Sequence, residues 1–327
     1  MAGLTPAPVD RFLAGLAAAL GAPVAKDDRF ALAVSGGPDS VAMLALAHAA
    51  LPGRVSVATV NHRLRADSAD EAAMVAGWCA GLGIPHATLA PDTPIAGASL
   101  QAQAREARYR LLARWFAETG ARALLTAHHA DDQAETFLMR AARGSGVSGL
   151  GAIRESGEID GMPVLRPLLG WRRAELRAVA EAAGTPFVDD PSNADDRHDR
   201  TRFRALFAAN RWLDVAGIAD SAAHAAEADR ALRACADLFW DMRAEASEGA
   251  IALDPAGLPP EIRRRLALRA ITQVRESHGF PSDWRTTGVD RLLAALEAGG
   301  TGTIAGVQAR AGRGMWRFAL APARRSH

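Results

Sequence analysis

Between an apolar run at residues 29–34 and an alanine-rich run from about residue 39 to 50 stands Ser35-Gly36-Gly37-Pro38-Asp39-Ser40. Two adjacent glycines let the backbone approach an anion closely and take positive φ. Amides at a helix start point at bound oxygens, and the helix dipole favours negative charge there. Ser35 and Ser40 add hydroxyl donors. A carboxylate beside polyphosphate is repulsive unless a cation lies between them, so Asp39 is a candidate Mg²⁺ ligand. The competing reading is a polar strand-to-helix turn in which Asp39 caps the helix.

A second polar group is Ala127-His128-His129-Ala130-Asp131-Asp132-Gln133-Ala134-Glu135-Thr136. On a helix Asp132 and Glu135 are i, i+3 neighbours, with His128 able to extend over the same face. The group reads as an acidic pocket for Mg²⁺ or an ammonium ion. A dedicated transition-metal site is disfavoured because cysteine ligands are missing. Arg105 and Arg108 share another helical face and could clamp phosphate; a solvated stripe with Glu106 and Glu118 is the alternative. Arg200 and Arg204 share a face after the turn Asp189-Asp190-Pro191-Ser192-Asn193-Ala194-Asp195. Residues 144–149 spell GxGxxG, but a dinucleotide fingerprint must follow a strand and open a helix. Here the string follows a helix, so it reads as a flexible glycine loop.

The elements that must position these groups alternate. Strands are expected at 29–34, 54–61, 85–89 and 123–127, with a further one at 163–168. Helices are expected at 39–50, 68–82 (Ser68 and Glu71 forming a capping box), 99–119 with Ser99 as cap, 131–143 and 172–183. This pattern argues for a doubly wound parallel sheet with helices on both faces. Residues 214–246 then read as helix without strand signals. Helices follow at 259–274 and 285–297. Two alternating stretches, 302–307 and 315–320, read as a hairpin around the turn 310–314. The expected division is a catalytic domain at 1–212 and a mainly helical domain ending in a β-hairpin at 213–327.

Composition narrows the chemistry. The chain has 327 residues, 49% hydrophobic and 23% charged, with a net charge of +1. Of 38 basic residues only Lys26 is a lysine. A Walker-A loop, which needs a lysine after its glycines, is therefore excluded. Phosphate recognition falls to arginine, backbone amides or metal. No apolar stretch reaches the ~18 residues of a membrane span, and no signal peptide is expected. The two cysteines, Cys79 and Cys235, form no CxxC, which suits a reducing cytoplasm.

The string SGGPDS resembles the PP-loop of the N-type ATP pyrophosphatases, which split ATP between its α and β phosphates and activate an acceptor as an adenylate. With VNHRLR, AREARYRLL, AHHADDQAET, RGSGVSGL, RPLL and DPSNADD, in that order over residues 29 to about 204, the chain resembles the tRNA(Ile)-lysidine synthases. That resemblance implies ATP and Mg²⁺, and ligation of L-lysine to C2 of the wobble cytidine in an isoleucine tRNA with a CAU anticodon. It implies that Ser35, Gly36, Gly37, Pro38, Asp39, Ser40, His62 and Arg105 bind the nucleotide, and that Asp39 and Asp132 hold metal. Arg108 would stabilise the adenylation transition state, and Asp132 and Glu135 would hold metal or the lysine ammonium. Arg200 would join the catalytic set, although this chain has Arg200-Thr201 where the family usually shows Arg-Asn. The 213–327 region would bind tRNA, with the run Arg263-Arg264-Arg265 as a source of phosphate contacts or else a solvated helix face. A second C-terminal domain found in longer members is expected to be absent. Another PP-loop tRNA enzyme, such as a thiolase, and a non-catalytic nucleotide-binding module are the rival readings. Thiolation by this route usually needs paired cysteines.

Overall fold

A computed structural model describes residues 4–63, 68–93, 100–188, 199–281, 284 and 286–322, with the side chains of residues 101, 199 and 200 excepted. Two compact units divide it, residues 1–226 and 227–327. The division falls inside one long helix.

The first unit begins with α1 (Pro6–Leu20), which opens on proline and closes on Gly21 in the left-handed conformation (φ 68°). Phe12, Leu16 and Ala19 lie on its buried stripe. β1 (Phe30–Ala33), α2 (Pro38–Ala50), β2 (Val55–Val60), α3 (Ser68–Gly81), β3 (His86–Leu89), α4 (Leu100–Thr119) and β4 (Ala123–Leu125) then alternate. After them come α5 (Ala130–Ala141), α6 (Val147–Leu150), β5 (Ser156–Ile159), β6 (Met162–Leu165), α7 (Arg173–Ala182) and α8 (Asp199–Ala209). The strands form a six-stranded sheet in the order β3-β2-β1-β4-β6-β5. All its pairings are parallel except β5 with β6.

β1 is almost wholly apolar and buried, as a strand covered on both faces must be. α2 is buried continuously from Ser40 to Ala47, because α1 and α7 enclose it against the sheet. Burying each of its larger side chains, Val41, Met43, Leu44 and Leu46, stabilises by roughly 1.5–3 kcal/mol. On the other face α4 packs through Tyr109 and Leu112 on Ala31, Ala58, Leu124 and Val164. The strand order reverses between β1 and β4. Open α/β sheets bind their ligands at such a reversal, outside the carboxyl ends of the strands.

The helix α9 (Val215–Arg243) leads into β7 (Ala244–Ser247), β8 (Ala250–Leu253), α10 (Pro260–Ser277), α11 (Val289–Glu297), β9 (Thr301–Ile304), β10 (Val307–Gly312) and β11 (Met315–Leu320). The expected C-terminal hairpin is present as β10 and β11, with other bounds for its first strand. It is part of a five-stranded antiparallel sheet ordered β7-β8-β11-β10-β9. Residues 302–307 are not one strand, because Ala305-Gly306 turns the chain and β10 occupies 307–312. The expectation of helix through residue 246 also fails, since β7 begins at Ala244. Leu266, Ile271, Leu253, Val307 and Phe318 form this unit's core.

Candidate active site

The loop after β1 is held by its own side chains. The Ser35 N–H donates to Ser40 Oγ at 3.1 Å, and the Ser40 hydroxyl donates to the Gly37 carbonyl at 2.9 Å. Ser35 Oγ lies 3.2 Å from Ser40 Oγ. Gly36 sits at φ 89°, where a side chain would be strained, and its carbonyl accepts from the Val188 N–H at 3.0 Å. Pro38 fills the first helical position of α2, where its missing N–H costs nothing. The sequence between β1 and α2 therefore presents a glycine backbone at a helix N-terminus, a ready anion site.

The turn after β4 faces that loop. His129 is 1% exposed and is the N-cap of α5. Its N–H donates to Asp132 Oδ2 at 3.2 Å, and the Asp132 N–H donates to His129 Nδ1 at 3.4 Å. That reciprocal box assigns the ring proton to Nε2, which lies 3.4 Å from Asp39 Oδ2 and 3.5 Å from Asp132 Oδ2. Burial lowers the His129 pKa, but the Asp39 hydrogen bond and the charges of Asp132 and Asp39 outweigh it, so the group titrates above its ordinary value. Asp39 Oδ1 is buried without a partner. Such an oxygen suits a hard cation, and Mg²⁺ is commonly held by one or two carboxylates plus phosphate oxygens and water. Among the described residues no group of three or more His, Cys, Asp or Glu forms an all-protein metal cluster.

Farther along α5, Glu135 is 1% exposed. Its Oε1 accepts from Arg204 Nε at 2.8 Å and from Arg173 Nη2 at 3.3 Å, while its Oε2 is buried with no partner. One oxygen is thus neutralised and the other is left as an acceptor. Asp131 has a structural duty. It accepts from Arg172 Nε at 3.2 Å and from the Arg173 N–H at 2.8 Å, tying α5 to the start of α7.

Basic groups come from α4 and from the strand ends. Arg105 Cζ lies 5.0 Å and Arg108 Cζ 5.7 Å from the Tyr109 ring. His62, after β2, is depressed below its ordinary pKa by burial and then by Arg108, so it is neutral at pH 7. The 144–154 segment is tied down rather than loose. Arg140 Nη1 donates to the Gly149 and Ala152 carbonyls at 2.8 and 2.9 Å, and Gln133 clasps Ile153 with bonds of 2.9 and 2.7 Å. The GxGxxG string opens only the four-residue α6.

The structure brings Ser35, Gly36, Gly37, Pro38, Asp39, Ser40 and Asp132 to one place at the β1–β4 reversal, with Glu135 on the same helix as Asp132. His129, and not His128, sits among the acids. His128 Nδ1 instead lies 3.0 Å from Thr126 Oγ1. Sequence reasoning passed over His129, Arg173 and Arg166. The first had a signal in its doubled histidine, and the last in the string RPLL. The stretch 189–198, which holds the DPSNADD turn, lies outside the described residues, as does the side chain of Arg200.

A PP-loop domain model matches residues 10–209, so the fold and the loop define this chain as a PP-loop protein. The tRNA(Ile)-lysidine synthase of Novosphingobium aromaticivorans is 46% identical over 91% of this chain and 90% of its own length. That of Zymomonas mobilis is 40% identical over the same shares, and that of a Bradyrhizobium species 39% over 93% of each. The chain belongs to the tRNA(Ile)-lysidine synthase family, ligases that form a carbon–nitrogen bond. The fold is shared with a U34-tRNA thiolase from Methanococcus maripaludis, at 18% identity and a TM-score of 0.55 over 67% of this chain and 78% of that one.

Proposed function

We propose that this protein joins L-lysine to C2 of the wobble cytidine of an isoleucine tRNA with a CAU anticodon, converting ATP to AMP and pyrophosphate. The observation that carries this reading is likeness to lysidine synthases across nine-tenths of the chain, together with a phosphate cradle and two buried acceptor oxygens in the same unit. Ser35, Gly36, Gly37 and Ser40 hold the ATP phosphates from the end of β1. Asp39 and Asp132 hold Mg²⁺, which supplies charge neutralisation at the phosphates. His129 keeps Asp39 turned so that Oδ1 faces away from the ring. Arg108 stabilises charge developing as the cytidine is adenylated, with Arg105 and His62 beside it. Lysine then displaces AMP: its ammonium, met by Glu135 Oε2, gives up a proton there, the freed amine bonds to C2, and the C2–O bond breaks as AMP leaves. Arg200 is assigned to the same reaction on family grounds. The 213–327 region binds tRNA, and the reaction takes place in the cytoplasm.

Neither rival has support in the chain. Cys79 is buried and Cys235 is exposed, and they belong to different units, which does not suit thiolation. A non-catalytic module has no use for a buried, unpartnered Asp39 oxygen beside a phosphate cradle. Among the described residues no helix is long and apolar enough to cross a membrane. The test is incubation with ATP, isotopically labelled lysine and an unmodified isoleucine tRNA transcript, followed by nucleoside mass analysis. Lysidine carrying the label is expected. ATP turnover with sulfur or ammonia as the preferred acceptor would refute the reading.

A further inference from the structure

Arg166 stands at the carboxyl end of β6, its N–H donating to the Glu155 carbonyl at 2.8 Å. The residue is only 9% exposed. A guanidinium carries five N–H donors. Among the described residues this side chain finds one acceptor, the Arg154 carbonyl at 2.8 Å from Nη1, and its Nε is buried with none. Arg105 is close enough to oppose its charge; the Arg105 Cζ lies 5.0 Å from the ring of Tyr109, which packs in one cluster with Val164 of β6. Neither Arg105 nor Arg166 has a carboxylate partner among the described residues.

Burying a cation without a counter-charge is costly. Two other arginines of low exposure, Arg204 and Arg265, have counter-charges, whereas Arg140 and Arg275 each meet two backbone carbonyls. Arg204 meets Glu135 at 2.8 Å, and Arg265 meets Asp229 at 2.7 Å and Glu261 at 2.8 Å. At Arg166 the neighbours are instead Arg105, which is exposed, and Tyr109, on which half-buried Arg108 also packs. The group is positive and short of acceptors, and its Arg105 is exposed. It lies at the carboxyl ends of the strands, on the side of the sheet where α4 runs.

We propose that Arg166 and Arg105 form a phosphate-binding site in which an anionic oxygen of the substrate supplies the acceptors that Arg166 lacks. The phosphate comes from ATP or from the RNA backbone beside the modified nucleotide; the site depends on the functional reading above only for those two sources.

Four chains decide it: wild type, Arg166→Met, Arg166→Lys and Arg105→Gln, the last a change at an exposed position that does not threaten folding. Affinities are measured for inorganic pyrophosphate, ATP and tRNA, with Tm alongside. Arg166→Met should weaken at least one ligand more than threefold without lowering Tm, because it removes an under-paired buried charge. Arg166→Lys should recover part of the loss, and Arg105→Gln should reproduce it. Loss confined to ATP and pyrophosphate assigns the phosphate to the nucleotide, and loss confined to tRNA assigns it to RNA. Affinities within threefold of wild type for all three ligands in Arg166→Met and Arg105→Gln overturn the proposal. So does a lowered Tm with equal loss in the lysine variant, which marks a packing role. The pyrophosphate measurement stands even if no lysidine is formed, so the two readings fail separately.

Discussion

The imidazole of His129 holds Asp39 across the β1–β4 reversal, Nε2 to Oδ2 at 3.4 Å, while Asp39 Oδ1 remains buried and unpartnered. A ring fixed by its own capping box therefore orients the acid of the phosphate loop. Asp39→Asn keeps the shape and removes the charge a cation needs. Turnover should fall by at least a hundredfold, as for loss of a charge-stabilising group worth about 2.7–4 kcal/mol. Tm should move by no more than about 2 °C. Wild-type kcat in this variant would end the Mg²⁺ assignment.

Glu135 gives a second, separable outcome. Its Oε1 anchors Arg204 of α8 and Arg173, and only Oε2 is open. Glu135→Gln should raise the lysine KM while adenylation, read as ATP-dependent AMP transfer to tRNA, survives at least in part. The same variant removes a buried charge that Arg204 and Arg173 both meet, so a modest fall in Tm accompanies it. Lost adenylation with unchanged lysine affinity would move Glu135 to the nucleotide half of the site.

The first unit was readable because its signals are local. β1, β2 and β4 are short apolar runs, and the loop after β1 has a mechanism in its residue types. β5, β7 and β8 are short and carry no clear alternation; Ser156–Ile159 and Ala244–Ser247 are mostly exposed. Their turns were the available clue. Asp160-Gly161, Glu248-Gly249, Ala305-Gly306 and Arg313-Gly314 all take positive φ at both positions, the two-residue hairpin geometry, but only the first is a dipeptide that advertises it. The site's pairings were beyond local reading. Glu135 and Arg204 are 69 residues apart, and Arg166 feels the charge of Arg105 only because α4 packs on the sheet.

Asp131 links this site to acid stability. Burial raises its pKa, but hydrogen bonds from Arg172 and Arg173, with the His129 charge, bring it below the ordinary 3.8. Because the folded value is depressed, the contribution is complete above 3.8 and lost as pH falls through the lower folded value. Asp131→Asn should cost about 1–2 kcal/mol near neutrality. Urea unfolding at descending pH should show the gap from wild type closing below 3.8; a gap constant with pH would contradict the linkage.

The two thiols should react unequally. Burial pushes Cys79 up to about 11, whereas Cys235 is exposed. A disulfide reagent applied to the native protein at pH 8 should modify one thiol, and peptide mapping should place it at Cys235. Cys79 should react only on unfolding. Fast modification of Cys79 in the native protein would refute its burial on the inner face of α3.

Under the proposed function, discrimination between isoleucine and methionine tRNAs with the same anticodon comes from contacts away from the wobble pocket, a role we propose for the second unit. The run Arg263-Arg264-Arg265 is an unpromising source. These residues pair with Glu297 at 3.0 Å, Asp290 at 2.6 Å, and Asp229 at 2.7 Å. A better source is the β10–β11 hairpin. Its register sets Arg310 directly opposite Arg317, and exposed Arg313 occupies the tip at φ 51°. Among the described residues none of these three has a carboxylate partner. Like charges facing each other across strands destabilise by roughly 0.2–1 kcal/mol, a cost that a phosphate ligand would offset. A chain ended after Ala226, where the compact units divide, should fold and bind ATP, yet bind tRNA weakly and without preference for the isoleucine species. In the full chain, Arg310→Gln with Arg317→Gln should leave Tm equal or higher and weaken tRNA binding. The log–log salt slope should drop by roughly 0.9 for each phosphate that the variant no longer neutralises. Arg264→Gln should leave tRNA affinity unchanged. The assignment fails if the double variant modifies isoleucine tRNA with the wild-type kcat/KM, salt slope and selectivity.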